Sequence, residues 1–410
     1  MLETTIAGII VFTGVIMFLV LLLNLAQKKL LPQGDVTLHI NDNPENDIIA
    51  TPGSTLLTAL ATKNVFLPSA CGGGGTCAMC KCQVLEGGGE ILPTETGYIN
   101  RTDAKDHWRL ACQVKVKEDL TIHIPEEIFN IRKWECTVVS NNNVATFIKE
   151  LILDLPKGEI LNFKAGGYIQ IDIPEYTNLL FKDFEVENEY RPDWDKYKIW
   201  DLVANNIEPI FRAFSMANHP AEGNRMMLNV RIATPPPKLW NDVPPGLASS
   251  YIFNLKKGDK VTISGPFGEF FIKDTEREMV YIGGGAGMAP MRSHLFHLFQ
   301  SLKTGRKVSF WYGARSLREM FYDDEFKDIQ KRFPNFNYNV ALSEPLPEDN
   351  WEGATGFIHQ VLHDKYLKKH DDPTEVEFYM CGPPPMIAAV ENMLYDLGVE
   401  EEMIAYDSFG

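Results

Sequence analysis

Four cysteines are spaced to do metal chemistry. Cys71, Cys77 and Cys80 fall in the run Cys71-Gly72-Gly73-Gly74-Gly75-Thr76-Cys77-Ala78-Met79-Cys80, and Cys112 arrives about thirty residues later. Four thiolates converging on one site are what a [2Fe–2S] cluster requires. Glycines between the ligands let the backbone wrap tightly at positive φ. They also bring amide N–H groups toward the sulfurs, where they stabilise negative charge and adjust the potential. A four-cysteine zinc site is the competing assignment, but it usually pairs two short C-x2–4-C knuckles, and only Cys77 and Cys80 form one. An odd total of seven cysteines in 410 residues argues against a disulfide framework, which a chain of this length does not need. Cys82, two residues past Cys80, could replace it as a ligand and reads instead as a packing residue.

Two further stretches suit nucleotides. Gly283-Gly284-Gly285-Ala286-Gly287-Met288-Ala289-Pro290 lies between the strand-like Val280-Tyr281-Ile282 and a helical pattern reaching about Leu302. A glycine loop carries meaning in that context: Gly284, Gly285 and Gly287, with Pro290 behind them, would let a diphosphate approach the helix N-terminus. Upstream, Arg212-Ala213-Phe214-Ser215 reads as a strand. A period of two puts Arg212 and Phe214 on one face and Ser215 on the other.

The elements that must hold these residues divide the chain. Its 410 residues imply two to four domains, and 45% hydrophobic content suffices for several cores. A net charge of -16 with no basic stretch excludes nucleic-acid binding. Ile6 to Ala26 contains no charged residue, and about 20 residues at about 1.5 Å rise cross a hydrocarbon core. Glu3 before it and Lys28-Lys29 after it place the N-terminus outside and the remainder in the cytoplasm. The expected architecture is multidomain: a transmembrane anchor (1–28), an α+β domain bearing the cysteines (35–128), an antiparallel β-barrel (129–275) and an α/β doubly wound nucleotide-binding domain (276–410).

The motifs resemble known families. The order of strands and turns around the cysteines is similar to the β-grasp ferredoxin fold, although C-x5-C is one residue longer than the plant spacing. Arg212 to Ser215 resembles the R-x-[YF]-S motif of the ferredoxin-NADP reductase superfamily. Gly246 to Ser249 resembles its G-x-x-S turn, Gly265-Pro266-Phe267-Gly268 its G-P-x-G turn, and Gly283 to Pro290 its G-x-G-x-x-P loop. Cys381-Gly382-Pro383-Pro384-Pro385-Met386 resembles its C-G-P-x-x-M motif. The resemblance implies FAD, with Arg212 on phosphate, Phe214 stacked on the isoalloxazine and Ser215 at the flavin N5. It also implies phosphate at Gly246, Ser249 and Ser250, and a nicotinamide beside Cys381, Gly382 and Pro383. Phe409, near the C-terminus, would cover the flavin until nicotinamide displaces it. Catalytic roles are thereby expected for Cys381, Ser215 and Phe409, as positioning groups and not as general bases. The absence of an Arg and Lys cluster beyond Arg315 and Arg318 mildly favours NADH.

A hydride carries two electrons together and a [2Fe–2S] cluster takes one. A flavin between them splits the pair. The anchor, the cysteine spacing and the Phe409-Gly410 ending make the whole chain resemble the NADH-oxidising F subunits of bacterial sodium-translocating NADH:quinone oxidoreductases. That family implies a six-subunit inner-membrane complex in which ubiquinone is reduced, and sodium exported, by other subunits. A membrane-tethered reductase of an oxygenase system is the alternative. Between Ile173 and Arg212 the chain exceeds a minimal flavin barrel, with acidic residues interspersed among Phe, Tyr and Trp. This segment reads either as a solvated excursion or as a docking element presenting aromatic anchors.

Overall fold

Alternation buries every second side chain of the strand β1 (Val36–Ile40), whose Val36, Leu38 and Ile40 face inward. This strand organises the first of two units in the computed structural model, which describes residues 12–21 and 34–408 and divides between Ile131 and Arg132. Strands β2 (Ile48–Ala50), β3 (Lys81–Glu86), β4 (Trp108–Leu110) and β5 (Leu120–His123) complete a sheet in the order β2-β1-β5-β3-β4. Only β1 and β5 run parallel. The helix Leu56–Ala61 contributes buried Leu56, Leu57, Ala59 and Leu60, and Thr55 caps it by accepting from the Thr58 amide.

The second unit begins with a six-stranded antiparallel sheet. Its strands are β6 (Arg132–Ala145), β7 (Ile148–Asp154), β8 (Tyr168–Ile173), β11 (Ile210–Ser215), β12 (Arg225–Arg231) and β13 (Lys260–Phe267), ordered β11-β8-β13-β6-β7-β12. A bridge between Met216 and Leu228 joins the two edges and closes the barrel. Between β8 and β11 comes the acidic segment, which folds into the hairpin β9 (Tyr176–Leu180) and β10 (Val203–Asn206) and a short helix, Arg191–Lys196. Four of its aromatics turn inward. Phe181, Phe184, Tyr190 and Trp194 are buried in the barrel's own core, and the Trp194 indole donates to the Thr146 carbonyl at 2.8 Å. The segment is therefore a folded part of the barrel and not a solvated excursion; most of its acidic residues take the outer positions, and Tyr197 is exposed among them.

The chain then adopts a doubly wound arrangement. Strands β14 (Met279–Gly284), β15 (Val308–Ala314), β16 (Phe336–Leu342), β17 (Ala354–Thr355), β18 (Glu377–Gly382) and β19 (Ile404–Ser408) form a wholly parallel sheet in the order β17-β16-β15-β14-β18-β19. β14 and β18 are buried along their whole lengths, as central parallel strands should be. Strand order reverses between β14 and β18, and the crevice at such a switch point is where this architecture binds ligands.

Residues 12–21 are helical and exposed, and the rest of the uncharged run 6–26 lies outside the described residues. Among the described residues no helix is long and apolar enough to cross a membrane. Phe409, expected to cover the flavin, also lies outside them.

Candidate functional site

The cysteine loop brings its sulfurs together as two pairs. The Cys77 thiol donates to Cys71 Sγ at 3.3 Å, and Cys80 hydrogen-bonds Cys112. Gly72, Gly73, Gly75 and Ala78 are all at positive φ, +64°, +93°, +75° and +56°, which turns amides inward. The amides of Thr76, Cys77 and Gly73 address Cys71, that of Met79 addresses Cys77 and that of Gly75 addresses Cys112. The hydrogen bond from Cys77 lowers Cys71 to about 3, and the one from Cys80 lowers Cys112 to about 7. The proton-sharing partners, Cys77 and Cys80, are raised.

Among the described residues no group of three or more His, Cys, Asp or Glu is set to hold a single metal ion. Two thiolate pairs wrapped in N–H donors fit a two-iron cluster, with two thiolates for each iron. Cys82 points elsewhere. It is wholly buried, and burial pushes its thiol up to about 12.

A second cluster of chemistry forms around Ser215, at the end of the barrel strand β11. Its hydroxyl donates to Asp407 Oδ2 at 2.7 Å, and Asp407 on β19 is the register partner of Cys381 on β18. Cys381 is fully buried; burial first, and the Asp407 charge second, raise its pKa well above the ordinary thiol value. It stands as a neutral thiol. Arg212 and Phe214 share the other face of β11. Phe214 packs at the edge of the barrel core, and an Arg212 guanidinium N–H donates to the Phe211 carbonyl at 2.7 Å.

Gly246 opens the helix Leu247–Asn254, whose first turn has no side-chain cap, so its amides are available to an anion. The hydroxyls of Ser249 and Ser250 both donate to the Gly246 carbonyl, at 3.1 and 2.7 Å. They hold the turn, while the backbone is what the turn offers. This donor set of guanidinium, aromatic face and open helix turn fits a flavin dinucleotide.

Asp407 is not legible as a site residue from its neighbours in sequence, and its environment gives a pH test. Burial raises its carboxyl pKa, against the lowering effect of the Ser215 hydrogen bond. A carboxyl raised in the folded state favours folding below its unfolded pKa, about 3.9, and loses that advantage as pH rises through the folded value. Asp407→Asn keeps an acceptor for Ser215 and cannot ionise. Its melting temperature relative to the unsubstituted chain is expected to rise between pH 4 and pH 8, measured by thermal denaturation across that range. An unchanged difference would contradict the assignment.

A cleft of about 980 Å³ lies at the carboxyl ends of the parallel strands, walled by Gly284, Gly285, Gly287, Gly382, Pro383 and residues of the barrel edge such as Ile148. Gly287 makes the fit possible: a Cβ there would sit 2.1 Å from the Cys381 carbonyl oxygen and 2.6 Å from the Gly382 nitrogen. Pro290 is buried in the first turn of the helix Met288–Phe296, where a missing N–H costs nothing.

Two arginines on the cleft wall, Arg231 and Arg315, escape the motif reading of a phosphate site. Desolvation, then the neighbouring Arg315 charge, lower the Arg231 pKa, against the raising effect of Glu319. Arg315 also donates to Glu319 on the same wall at 3.2 Å, and Arg318 pairs with Asp193 of the acidic segment.

Three family models match the chain in succession: a 2Fe-2S iron-sulfur cluster binding domain over residues 39–117, an oxidoreductase FAD-binding domain over 199–272 and an oxidoreductase NAD-binding domain over 281–392. Curated proteins named as the F subunit of Na(+)-translocating NADH-quinone reductase match along nearly the whole length. That of Psychrobacter cryohalolentis is 55% identical over 407 residues, covering 99% of each chain. Those of Haemophilus ducreyi and Pseudomonas aeruginosa are each 58% identical, covering 98% and 97% of both chains. Among solved structures, a cytochrome P450 reductase from Amycolatopsis aligns with a TM-score of 0.64 at 22% identity, over 91% of this chain and 98% of that one. The ferredoxin reductase of a carbazole 1,9a-dioxygenase aligns at 0.60 and 25%, over 92% and 99%. These structures share the fold.

Proposed function

The chain belongs to the family of F subunits of Na(+)-translocating NADH-quinone reductases, and from that premise we propose that it is the electron-input subunit of such a complex, oxidising NADH and sending electrons toward quinone. Bound FAD supplies two-electron acceptance with one-electron release, and the cluster supplies one-electron carriage. The chain's own residues position and insulate. The observation that carries the reading is the 2.7 Å bond from Ser215 to Asp407 beside Cys381. It joins a barrel strand to the strands that end in the dinucleotide cleft, where hydride must pass between two rings.

The glycine cleft and the arginines Arg231 and Arg315 hold the NADH diphosphate. Arg212, Phe214 and the turn at Gly246, Ser249 and Ser250 hold FAD. The neutral Cys381 packs against the nicotinamide without competing as a nucleophile, Ser215 fixes the flavin edge, and Phe409 shields it. Cys71, Cys77, Cys80 and Cys112 ligate the cluster. The domains follow as 35–128, 129–275 and 276–410, behind an anchor at 1–28.

We place the chain in a bacterial inner membrane, single-pass with its N-terminus outside, among six subunits of which others reduce ubiquinone and export sodium. The uncharged run 6–26 and its exposed apolar helical stretch at 12–21 support the anchor. Membranes lacking this chain are expected to lose sodium-dependent NADH:quinone activity and to regain it when the chain is restored. Undiminished activity without the chain, or co-purification with a Rieske or diiron partner in place of membrane subunits, would assign it to an oxygenase system.

A further inference from the structure

We infer that Gln113 sets the reduction potential of the cluster through a side-chain N–H to the ligand Cys112, and that Thr94 holds its amide in the orientation this requires. The inference rests on the assignment of a cluster to Cys71, Cys77, Cys80 and Cys112. Gln113 Nε2 lies 3.5 Å from Cys112 Sγ, while Gln113 Oε1 accepts from Thr94 Oγ1 at 2.9 Å. The two ends of a primary amide are alike in size, and the negative ligand sulfur selects the NH2 end, which leaves Oε1 to accept from the Thr94 hydroxyl, itself able to donate or accept. A hydroxyl donating to the oxygen leaves the NH2 group for the thiolate. The opposite orientation would set a carbonyl oxygen against a sulfur of the same sign.

Thr94 is exposed, and an exposed threonine on a free loop would hold nothing. Its loop is clasped. Next to it, Glu95 is fully buried and accepts from Arg109 Nε at 3.0 Å, Arg109 Nη2 at 2.7 Å, and the amides of Leu92 and Leu110 at 2.9 Å each. Arg109 gives its remaining donors to the carbonyls of Gly88, Gly89 and Glu90 at 2.7, 3.0 and 3.0 Å. Every polar atom of this buried pair is satisfied, the condition under which such a pair fixes one geometry.

Arg109 belongs to β4, three positions before Cys112, so the clasp registers Thr94 against the backbone that carries the ligand. Farther along the same loop, Tyr98 donates to the Thr76 carbonyl, inside the cysteine run, at 3.0 Å. On the cluster side, the Gln113 amide lies against Gly75: a Cβ there would meet Nε2 at 2.7 Å. The glycine leaves the room in which the amide reaches the sulfur.

Reduction adds negative charge to the cluster and its ligands, and an N–H aimed at a ligand sulfur stabilises that state more than the oxidised one. Removing it lowers the potential. A hydrogen bond to a charged group corresponds to roughly a tenfold change in the oxidised-to-reduced ratio at fixed poise, or ~59 mV for one electron.

The test is a redox titration of the full-length chain, following the cluster by its reduced-state paramagnetic signal and FAD by absorbance. Gln113→Leu is expected to lower the cluster midpoint by about that amount, and Thr94→Val by a smaller amount. The double variant should lie no lower than Gln113→Leu alone, with the FAD midpoint unmoved throughout. Unchanged midpoints with the cluster intact would overturn the inference, as would additive shifts in the double variant. Loss of the cluster on the exposed substitution Thr94→Val would overturn it too, since Thr94 would then serve assembly. An unsubstituted chain with no cluster signal would instead break the underlying assignment.

Discussion

Replacing Cys77 with alanine is expected to abolish the cluster's paramagnetic signal while NADH still reduces FAD at a rate within about twofold of the unsubstituted chain. The sulfurs occur as the pairs Cys71 with Cys77 and Cys80 with Cys112, so the substitution leaves one iron with a single protein thiolate. Cys71 also loses the hydrogen-bond donor that contributes most to its lowered pKa. Cys82 is not expected to substitute, because it stands outside the two sulfur pairs and is enclosed in the core of its domain. Cys82→Ser should keep the signal, whatever it costs in stability. Ser215, Cys381 and Asp407, the residues proposed for the hydride site, all belong to the unit that begins at Arg132, which is why flavin reduction should persist. Electron paramagnetic resonance of dithionite-reduced protein and stopped-flow absorbance with NADH read the two effects separately. A surviving signal in Cys77→Ala, or a lost one in Cys82→Ser, would sink the ligand assignment.

The cysteine loop and the glycine loop stand out in sequence because three of the four cysteines, and the turn glycines, are close in the chain; Cys112 is brought to Cys80 only by the fold. β8 is legible end to end, since Tyr168 to Ile173 alternates without interruption. Asp407 is not. Nothing near it forms a motif, and its role arises from parallel pairing with Cys381 and from Ser215, 192 residues away.

The aromatics of the acidic segment mislead for a related reason. Spacing that suits an exposed anchor equally suits a side chain folded back on the barrel, and only the tertiary contact of Trp194 with Thr146 separates the two. Periodicity predicts that the helix after the glycine loop continues to Leu302, but its regular α part ends at Phe296. A π turn from His297 to Ser301 follows, a change of hydrogen-bond pattern that hydrophobic periodicity cannot register. Gln113 stands next to Cys112 in sequence, yet its side chain bonds Thr94, nineteen residues earlier, and no spacing rule joins them.

Gly287→Ala is expected to slow reduction of FAD by NADH at least about a hundredfold, the penalty for displacing reacting groups by about 1 Å. The cause is space alone. Gly287 has φ -61° and ψ -8°, values any residue adopts, so no backbone strain accompanies the substitution. The new methyl would lie 2.1 Å from the carbonyl oxygen and 2.3 Å from the carbonyl carbon of Cys381. Backbone atoms cannot rotate aside as a side chain would. Either the glycine loop or the end of β18 must retreat, and both line the dinucleotide cleft while β18 also carries Cys381. Overpacking of this kind costs about 1 to 3 kcal/mol, which thermal denaturation would register alongside the kinetic loss. Gly305→Ala is the control, because a Cβ there meets nothing within 4 Å; it should leave both measurements unchanged. Bound FAD and a single cooperative melt should be retained in both variants, which separates a damaged hydride site from failure to fold of the unit that begins at Arg132 and carries Gly287. Should Gly287→Ala oxidise NADH at the unsubstituted rate, the contact between the glycine loop and Cys381 would have no part in positioning the nicotinamide.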